Sequence, residues 1–297
     1  MSLYDSVLIT GGNGMLAFAV KEALAARGIP FASVGRAECD LADVDAVART
    51  FDRVKPTLVL NCAAYTNVDG CETDPTGATA GNTTAPGNLA KACRAGGAAL
   101  VHYSTDYVFD GKGEPAADGS GPWPWRINDP VAPLGAYGRS KLAGEQLLQE
   151  HAPARWVIAR TQWLYGPSGK HFVDTMLNAA RAGKPLKVVA DQIGSPTYTP
   201  HLAAATLDVL DRGGQGIWHL SNSGRTSWFG FTEAIMAAFD VTPASLVPAT
   251  SAEWKQIRPQ AAHRPAWSVF DLTPYEALIG KPMPRWQDGL TAYAGRR

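Results

Sequence analysis

A glycine-rich turn between an apolar segment and a helical pattern is the feature that most constrains this fold. Residues 7–9 read VLI, residues 10–17 read TGGNGMLA, and a helical pattern then runs to Ala26. Glycine permits a tight strand-to-helix turn and lets the backbone approach a pyrophosphate, which the positive end of the helix dipole stabilises. The segment therefore predicts the start of a dinucleotide-binding unit. The candidate cofactor contacts in this loop are Gly11, Asn13, Gly14, Met15 and Leu16.

Strand-like and helical segments alternate through the first half of the chain. The predicted strands are residues 31–34, 57–61, 98–104 and 156–161, and the predicted helices lie near residues 44–51, 84–95 and 142–150. Such alternation predicts an α/β, Rossmann-like, doubly wound parallel sheet with ligands at the carboxyl ends of its strands. Beyond residue 161, Gly and Pro break the pattern into short elements. We therefore predict a dinucleotide-binding domain at residues 1–160, and at 161–297 a smaller, mainly substrate-binding lobe, some of whose segments return to the first domain.

Composition and charge exclude several classes of protein. Lys and Arg together number 27, as do Asp and Glu, so nothing attracts the chain to nucleic acid or to an anionic membrane. The first 30 residues lack the pattern of a signal peptide, and no apolar run could span a bilayer, so the cytoplasm is the expected location. The four cysteines lack C-x-x-C spacing and are predicted to be buried thiols rather than disulfide or zinc partners.

A tyrosine and a lysine four residues apart suggest a proton donor for carbonyl reduction. On a helix, Tyr137 and Lys141 would lie one turn apart on the same face. A free phenol has a pKa of about 10, so a neighbouring cation is needed to bring it towards neutral pH. Thr105, which follows a predicted strand, is the candidate hydroxyl that polarises the substrate oxygen. Taken alone, a Tyr-Lys pair at this spacing is more often part of a solvated helix surface.

With these motifs the chain resembles the extended short-chain dehydrogenase/reductases, and within them the dTDP-4-dehydrorhamnose reductase family. The resemblance runs from Val7 to about Leu290. Motifs shared with several nucleotide-sugar enzymes are the glycine loop, NCAAYTNVD at residues 61–69, STDYVFDG at 104–111 and YGRSKLAGE at 137–145. More selective are DQIGSPT at 191–197, RTQWLYG at 160–166, and Arg264-Pro265 followed by Ser268 and Asp271. At Gln162 the family usually has a small residue.

The resemblance implies a role for each site residue. Tyr137 would donate a proton to the C4 oxygen, Lys141 would lower the pKa of Tyr137 and hold the nicotinamide ribose, and Thr105 would bond the substrate oxygen. The remaining substrate contacts would be Asp106, Trp163 and Arg264. Asp191 and Gln192 could be ligands or could simply form a turn. The implied reaction is reduction of a dTDP-4-keto-6-deoxysugar, most simply dTDP-4-dehydro-L-rhamnose to dTDP-L-rhamnose.

The cofactor preference depends on the residues after the second predicted strand. An arginine at this place favours the 2′-phosphate of NADP, whereas an acid favours NAD. Arg36 therefore predicts NADPH, and Glu38 and Asp40 keep NADH as an alternative. By resemblance Asp40 and Leu41 would flank the adenine. The turn formed by Ala63, Ala64 and Tyr65 would pack along the nucleotide.

One departure from the family pattern is an insertion of about eight residues between Asp110 and Pro130, which includes PWPWR at 122–126. Trp123 and Trp125 could line the substrate pocket or pack as a rigid cap, and the entry of the loop into the Tyr137 helix slightly favours the pocket. The insertion leaves open a 4-ketoreductase for another deoxysugar, such as dihydrostreptose.

Two other kinds of function also remain open. One is a nucleotide-sugar epimerase or dehydratase, since Asp106 stands where such an enzyme could place an acid. The other is a non-catalytic module like the regulatory subunit of methionine adenosyltransferase, although the intact set of Thr105, Tyr137 and Lys141 favours an enzyme. Some relatives dimerise around a metal held by glutamates. The helix after the glycine loop offers only Glu22, so we predict no metal and leave a homodimer open.

Overall fold

The computed structural model describes residues 3–116 and 121–297. Its twelve strands are β1 (Val7–Thr10), β2 (Phe31–Val34), β3 (Leu58–Asn61), β4 (Ala99–Thr105), β5 (Trp156–Thr161), β6 (Leu164–Tyr165), β7 (Leu186–Val189), β8 (Ile193–Gly194), β9 (Thr197–Tyr198), β10 (Gly216–His219), β11 (Thr226–Ser227) and β12 (Leu246–Ala249).

The helices of the described residues are α1 (Met15–Ala26), α2 (Val44–Val54), α3 (Val68–Thr73), α4 (Pro75–Thr79), α5 (Ala85–Gly96), α6 (Ala136–His151), α7 (Phe172–Arg181), α8 (Thr199–Asp211), α9 (Trp228–Ala238), α10 (Ser251–Ile257), α11 (Thr273–Ile279) and α12 (Trp286–Ala294). A π-helical segment, Ala80–Thr84, joins α4 to α5, and a 3₁₀ turn, Asp106–Val108, follows β4. In this part of the chain no helix is both long and apolar enough to cross a membrane.

Six strands form one parallel sheet in the order β10-β5-β4-β3-β1-β2. Alternate side chains of each strand face opposite sides, as on β4, where Val101 packs with α1 and α8 while Leu100 packs with α2 and α5. Both faces are therefore covered, which explains the nearly continuous apolar sequence of these strands. The predicted doubly wound fold is confirmed. The strand order reverses between β1 and β3, where such sheets bind ligands beyond the carboxyl ends.

The second half of the chain packs a separate core around aromatic side chains. Tyr165, Phe231 and Tyr293 belong to a buried cluster contributed by α7, α9, α12 and the short strands between them. Not all of this half stays apart, because β10 forms an edge of the main sheet and α8 packs on α1. The domain boundary after residue 160 stays a prediction.

The two described arms of the inserted loop run antiparallel to each other. Pro115 and Pro122 face each other across it, and the Trp123 amide donates to the Glu114 carbonyl at 2.8 Å. Its residues 117–120 lie outside the described part of the chain. Trp125 packs inside, with its ring stacked on Phe109 at 4.5 Å. The slight preference for a pocket role is therefore wrong for Trp125, which is a core residue, whereas the side chain of Trp123 is exposed.

Two matched substitutions test this difference between the tryptophans. Trp125→Phe removes the bond from its indole Nε1 to the carbonyl of Trp267, 3.1 Å long, and leaves a small cavity. We expect the free energy of unfolding to fall by about 1 to 3 kcal/mol. Trp123→Phe changes an exposed ring and should cost less than about 0.5 kcal/mol. Urea denaturation of both variants measures the difference, and equal losses would contradict the assignment of Trp125 to the core.

Candidate functional site

A crevice of about 460 Å³ opens at the reversal point of the strand order. It collects residues that the sequence places on three separate segments: Gly11, Asn13, Gly14, Arg36, Asp40, Leu41, Ala63, Ala64 and Tyr65. Two predicted cofactor contacts, Met15 and Leu16, do not line it but form the first turn of α1 beside it. A second cavity, of about 670 Å³, lies around the amino ends of β3 and β4, and none of the predicted site residues line it.

The glycine loop has the shape that a bound pyrophosphate needs. Gly11 has a φ of +67°, and a Cβ there would lie 2.6 Å from the backbone nitrogen of Ala63. Only glycine therefore lets β1 and β3 approach this closely. No side chain caps the amino end of α1, whose N-cap residue Gly14 lines the crevice, so the first N–H groups of the helix are available to an anion bound there. The residues present fit a dinucleotide.

The three side chains expected near the adenosine ribose differ in whether the backbone already binds them. The Arg36 side chain is 86% exposed and contacts Asp40 at 3.5 Å, which leaves its guanidinium free to turn towards a ligand. The carboxylate of Glu38 instead accepts the amide hydrogen of Gly35. Asp40 also accepts the Ala42 amide at 3.0 Å. Both acids are thus engaged by the backbone, whereas the arginine is not.

Tyr137 lies in the first turn of α6, close to the end of β4. Its ring meets the ring of Tyr107 edge to face, with centroids 5.3 Å apart. A Cβ on the next residue, Gly138, would overlap the carbonyl oxygen of Tyr107. The glycine therefore lets α6 lie directly on the 3₁₀ turn that follows β4. This contact is what brings the phenol next to Thr105, as the sequence predicted.

Thr105 and Asp106 form a buried polar pair at the carboxyl end of β4. The Thr105 hydroxyl donates to Asp106 Oδ1 at 2.9 Å, and the other carboxylate oxygen accepts from Ser268 Oγ at 2.6 Å. Burial raises the pKa of Asp106 to about 6, although the bonds from Ser268 and Thr105 act in the opposite direction. Thr105 must turn its hydrogen away from Asp106 to bond a substrate oxygen.

Burial also raises the pKa of the Tyr137 phenol, and the charge of Asp106 adds to this effect, while the neighbouring Thr105 hydroxyl opposes it. Lys141, predicted to lower this pKa, is buried with its amine 3.1 Å from His102 Nε2 and 2.6 Å from the Tyr103 carbonyl oxygen. Its amine thus faces β4. The predicted effect on the phenol requires the amine to turn away from His102.

Trp163 is a half-buried residue just after β5, and its side chain packs against the second half of the chain. Its ring stacks on Trp228 at 3.6 Å, and its backbone has a φ of +49°, a strained value for a large residue. Side-chain bonds of the neighbouring Gln162 stabilise this conformation. Its Nε2 donates to the Ser268 carbonyl at 2.6 Å, and its Oε1 accepts from the Ser195 backbone amide at 2.9 Å. Gln162 thereby fixes the end of β5 to the second half of the chain.

The remaining candidates from the sequence lie at the edges of the site. Arg264 pairs with Asp69 at 3.1 Å. Burial raises the pKa of Tyr107 and the charge of Arg264 acts against this rise, so Arg264 faces the Tyr107–Tyr137 side of the site. Asp191 accepts the backbone amide and hydroxyl of Ser251, and Gln192 donates to the same hydroxyl. Both side chains therefore hold the amino end of α10, which is a structural role but not the local turn, and the ligand role stays open.

Sequence reasoning did not single out several residues that the fold brings to the site. They are Asn61, His102, Gln162 as an inter-lobe bridge, Trp228 and Ser268 as the partner of Asp106. A histidine inside the apolar β4 sequence was the one available signal.

Across the described part of the chain no group of His, Cys, Asp or Glu could hold a metal, and Glu22 pairs with Arg296 at 2.9 Å. The described cysteines are free thiols.

Comparison with known proteins identifies the family. Residues 5–296 match the family profile described as the RmlD substrate binding domain. A dTDP-4-dehydrorhamnose reductase of Mycolicibacterium smegmatis is 38% identical over 96% of this chain and 83% of its own length. A probable dTDP-4,6-dihydroxy-2-methyloxan-3-one 4-ketoreductase of Streptomyces antibioticus is 36% identical over 95% of this chain and 92% of its own.

The fold agrees with this result. The crystal structure of dTDP-4-dehydrorhamnose reductase from Bacillus anthracis, in complex with NADP, has a TM-score of 0.90 and is 33% identical. The match covers 98% of this chain and 99% of that one. Together with the glycine-loop crevice and the Thr105–Tyr137 pair, these matches show that the chain belongs to the RmlD substrate binding domain family, among nucleotide-sugar 4-ketoreductases.

Proposed function

We propose that this protein uses NADPH to reduce the C4 ketone of dTDP-4-dehydro-L-rhamnose, giving dTDP-L-rhamnose. The observation that carries the proposal is the juxtaposition of Tyr137 and Thr105 at the end of β4, beside a crevice shaped for a dinucleotide. Relatives named as dTDP-4-dehydrorhamnose reductases support the choice of sugar.

In this reaction the chain positions the ketone and supplies a proton. When bound, the nicotinamide supplies the hydride for C4. Thr105 turns its hydroxyl from Asp106 to the ketone oxygen, and Tyr137 donates the proton that this oxygen takes up. Trp163, Asp106 and Arg264 line the substrate side in this proposal. The rate acceleration comes from general acid catalysis and from orientation of the ketone, and not from a covalent intermediate with the protein.

The sugar is tested by incubating the protein with NADPH and a panel of dTDP-4-keto-6-deoxysugars, with and without a 3,5-epimerase. We expect NADPH oxidation with the epimerised L-sugar, and dTDP-L-rhamnose as the product by NMR. Turnover of a different sugar would favour a related 4-ketoreductase, the second candidate suggested by the Streptomyces antibioticus relative. Interconversion of sugars without net NADPH oxidation would favour an epimerase, and tight binding without turnover a regulatory module.

Cofactor choice is tested at Arg36. If its guanidinium pairs with the 2′-phosphate, Arg36→Ala removes a charge-assisted bond worth about 1.5 to 3 kcal/mol. The Kd for NADPH should then rise roughly 10- to 100-fold, while the Kd for NADH stays the same. Arg49→Ala is the matched control, because Arg49 is also exposed and paired with an aspartate but does not line the crevice. Equal losses for both cofactors would contradict a phosphate contact.

We further propose that the reaction takes place in the cytoplasm, where NADPH and nucleotide sugars are made. A homodimer, independence from metal and the absence of a nucleic-acid partner also remain predictions. Loss of turnover in a chelator, restored by magnesium, would contradict independence from metal.

A further inference from the structure

A buried chain of side-chain hydrogen bonds links the glycine-loop strand to the lysine of the site. Thr10 Oγ1 donates to Asn61 Oδ1 at 2.8 Å, Asn61 Nδ2 lies 2.9 Å from His102 Nδ1, and His102 Nε2 lies 3.1 Å from Lys141 Nζ. Each of the four side chains is at most 1% exposed. The mechanism above gives no role to the first three of these residues.

The direction of this chain is fixed at Asn61. Its Oδ1 also accepts the backbone amide of Ala63 at 3.1 Å, and a backbone N–H can only donate. The NH₂ group of Asn61 must therefore face His102. Because an amide nitrogen cannot accept, His102 Nδ1 is the acceptor, and the neutral imidazole carries its hydrogen on Nε2.

This tautomer decides which form of Lys141 fits. An ammonium group has only donors, so it would meet the Nε2–H of His102 hydrogen to hydrogen. A neutral amine instead accepts from Nε2–H and donates to the Tyr103 carbonyl, 2.6 Å away. A doubly protonated imidazole is no alternative, since its Nδ1–H would point at the NH₂ group of Asn61, and burial lowers the pKa of His102 well below its usual range. Only the unprotonated lysine satisfies every group in this arrangement.

The other titratable groups around Lys141 lie on α6 and β5. Glu145, on the next turn of α6, raises the pKa of Lys141, but its carboxylate is held by Arg160 of β5 at 2.7 Å. Tyr137, one turn earlier on α6, has a pKa raised by burial and is neutral. Burial is the larger effect and lowers the pKa of Lys141 to about 8, so the neutral amine forms under mild conditions.

We propose that His102 is a positioning residue that holds Lys141 as a neutral amine against β4 in the cofactor-free enzyme at alkaline pH, and that dinucleotide binding there turns the lysine outwards with the uptake of up to one proton from solvent. This rests on the proposed function, since the ribose hydroxyls and the phenol are the groups that favour the ammonium form. The lysine nitrogen gains the proton, and no other bond changes. His102 thereby couples cofactor binding to the charge of the site.

The coupling predicts a pH-dependent proton count. A free-enzyme pKa of about 8 leaves Lys141 mostly neutral at pH 9, whereas an outward lysine with an ordinary pKa of about 10.4 is protonated. Calorimetric titration with NADPH, in buffers of different ionisation enthalpy, should report roughly 0.9 protons taken up at pH 9 and roughly 0.1 at pH 7. Affinity for NADPH should correspondingly weaken as pH rises above 8.

Asn61→Asp is the sharpest test, because it reverses the tautomer. A carboxylate at this position accepts from His102 Nδ1–H and leaves Nε2 free to accept from an ammonium, so proton uptake at pH 9 should disappear. Thr10→Val is the matched control. It removes one bond to Asn61, but the Ala63 amide still fixes the amide orientation, so uptake should match the wild type.

The outcomes separate this inference from the proposed function. If NADPH does not bind, the proposed function fails. If it binds without proton uptake at pH 9, or if Asn61→Asp takes up as many protons as the wild type, the inference is overturned. Should Asn61→Asp not fold, ¹⁵N NMR of the cofactor-free wild type decides, with the Lys141 Nζ signal assigned by its loss in Lys141→Arg. A neutral amine above about pH 8 supports the inference, and an ammonium persisting at pH 10 overturns it.

Discussion

Tyr137→Phe should reduce turnover by about 10² to 10⁴, because it removes the proton donor and leaves the ring in place. The ring packs against Tyr107, a contact that phenylalanine keeps, so the Kd for NADPH should stay nearly constant. Steady-state rates at saturating NADPH and sugar measure the first effect, and fluorescence titration of the cofactor measures the second.

The control for this substitution is Tyr103→Phe. Tyr103 is a buried tyrosine on β4, whereas Tyr137 is on α6. The Tyr103 hydroxyl bonds Thr206 of α8 at 3.1 Å, on the opposite face of the sheet from α6. Loss of this hydroxyl should lower the free energy of unfolding slightly and leave turnover near that of the wild type. Wild-type turnover in Tyr137→Phe would exclude this phenol as the acid.

Glu145→Gln should lower the free energy of unfolding by about 3 to 5 kcal/mol, since it leaves a buried guanidinium without its counter-ion. Glu145 and Arg160 are 0% and 3% exposed, and two bonds of 3.0 and 2.7 Å join them. The melting temperature should fall on the order of 10 °C. Thermal and urea denaturation measure both quantities.

Glu22→Gln is the matched control for the buried pair. Glu22 also bonds an arginine, Arg296, at 2.9 Å, but both side chains are more than 40% exposed, so the loss should be below about 1 kcal/mol. A loss of similar size in both variants would contradict a special contribution from burial. The buried pair matters for function because it holds α6, with Tyr137 and Lys141, against β5.

The sequence predicted five of the six sheet strands, because the central strands are buried and mostly apolar, but it did not predict β10 at the edge. The strand at Phe31–Val34 and the strand at Trp156–Thr161 have the predicted bounds. The helix that carries Tyr137 begins at Ala136, six residues before the helix predicted near residue 142. Its first turn has no apolar periodicity. It forms because Gly138 packs on the carbonyl of Tyr107, a contact that local sequence cannot reveal.

The site was predicted less completely than the sheet. Motif spacing predicted the proximity of Thr105 to Tyr137, but not where the Lys141 amine points, because that depends on the tautomer of His102. Contacts between residues far apart in the sequence could not be predicted either. Asp106 and Ser268 are 162 residues apart in sequence, and Gln162 bonds the Ser268 carbonyl across 106 residues. Such pairs depend on how the two halves of the chain meet.

The edge strand β10 has a consequence for how the chain is made. It pairs with β5 but is separated from it by more than fifty residues of the second half, which also supplies α8 against α1. During synthesis, the ribosome must therefore release residues to about His219 before the sheet can be completed. Until then the hydrogen-bonding groups of β5 are an open edge, the kind of surface on which nascent chains associate. A fragment ending near residue 160 would keep that edge permanently.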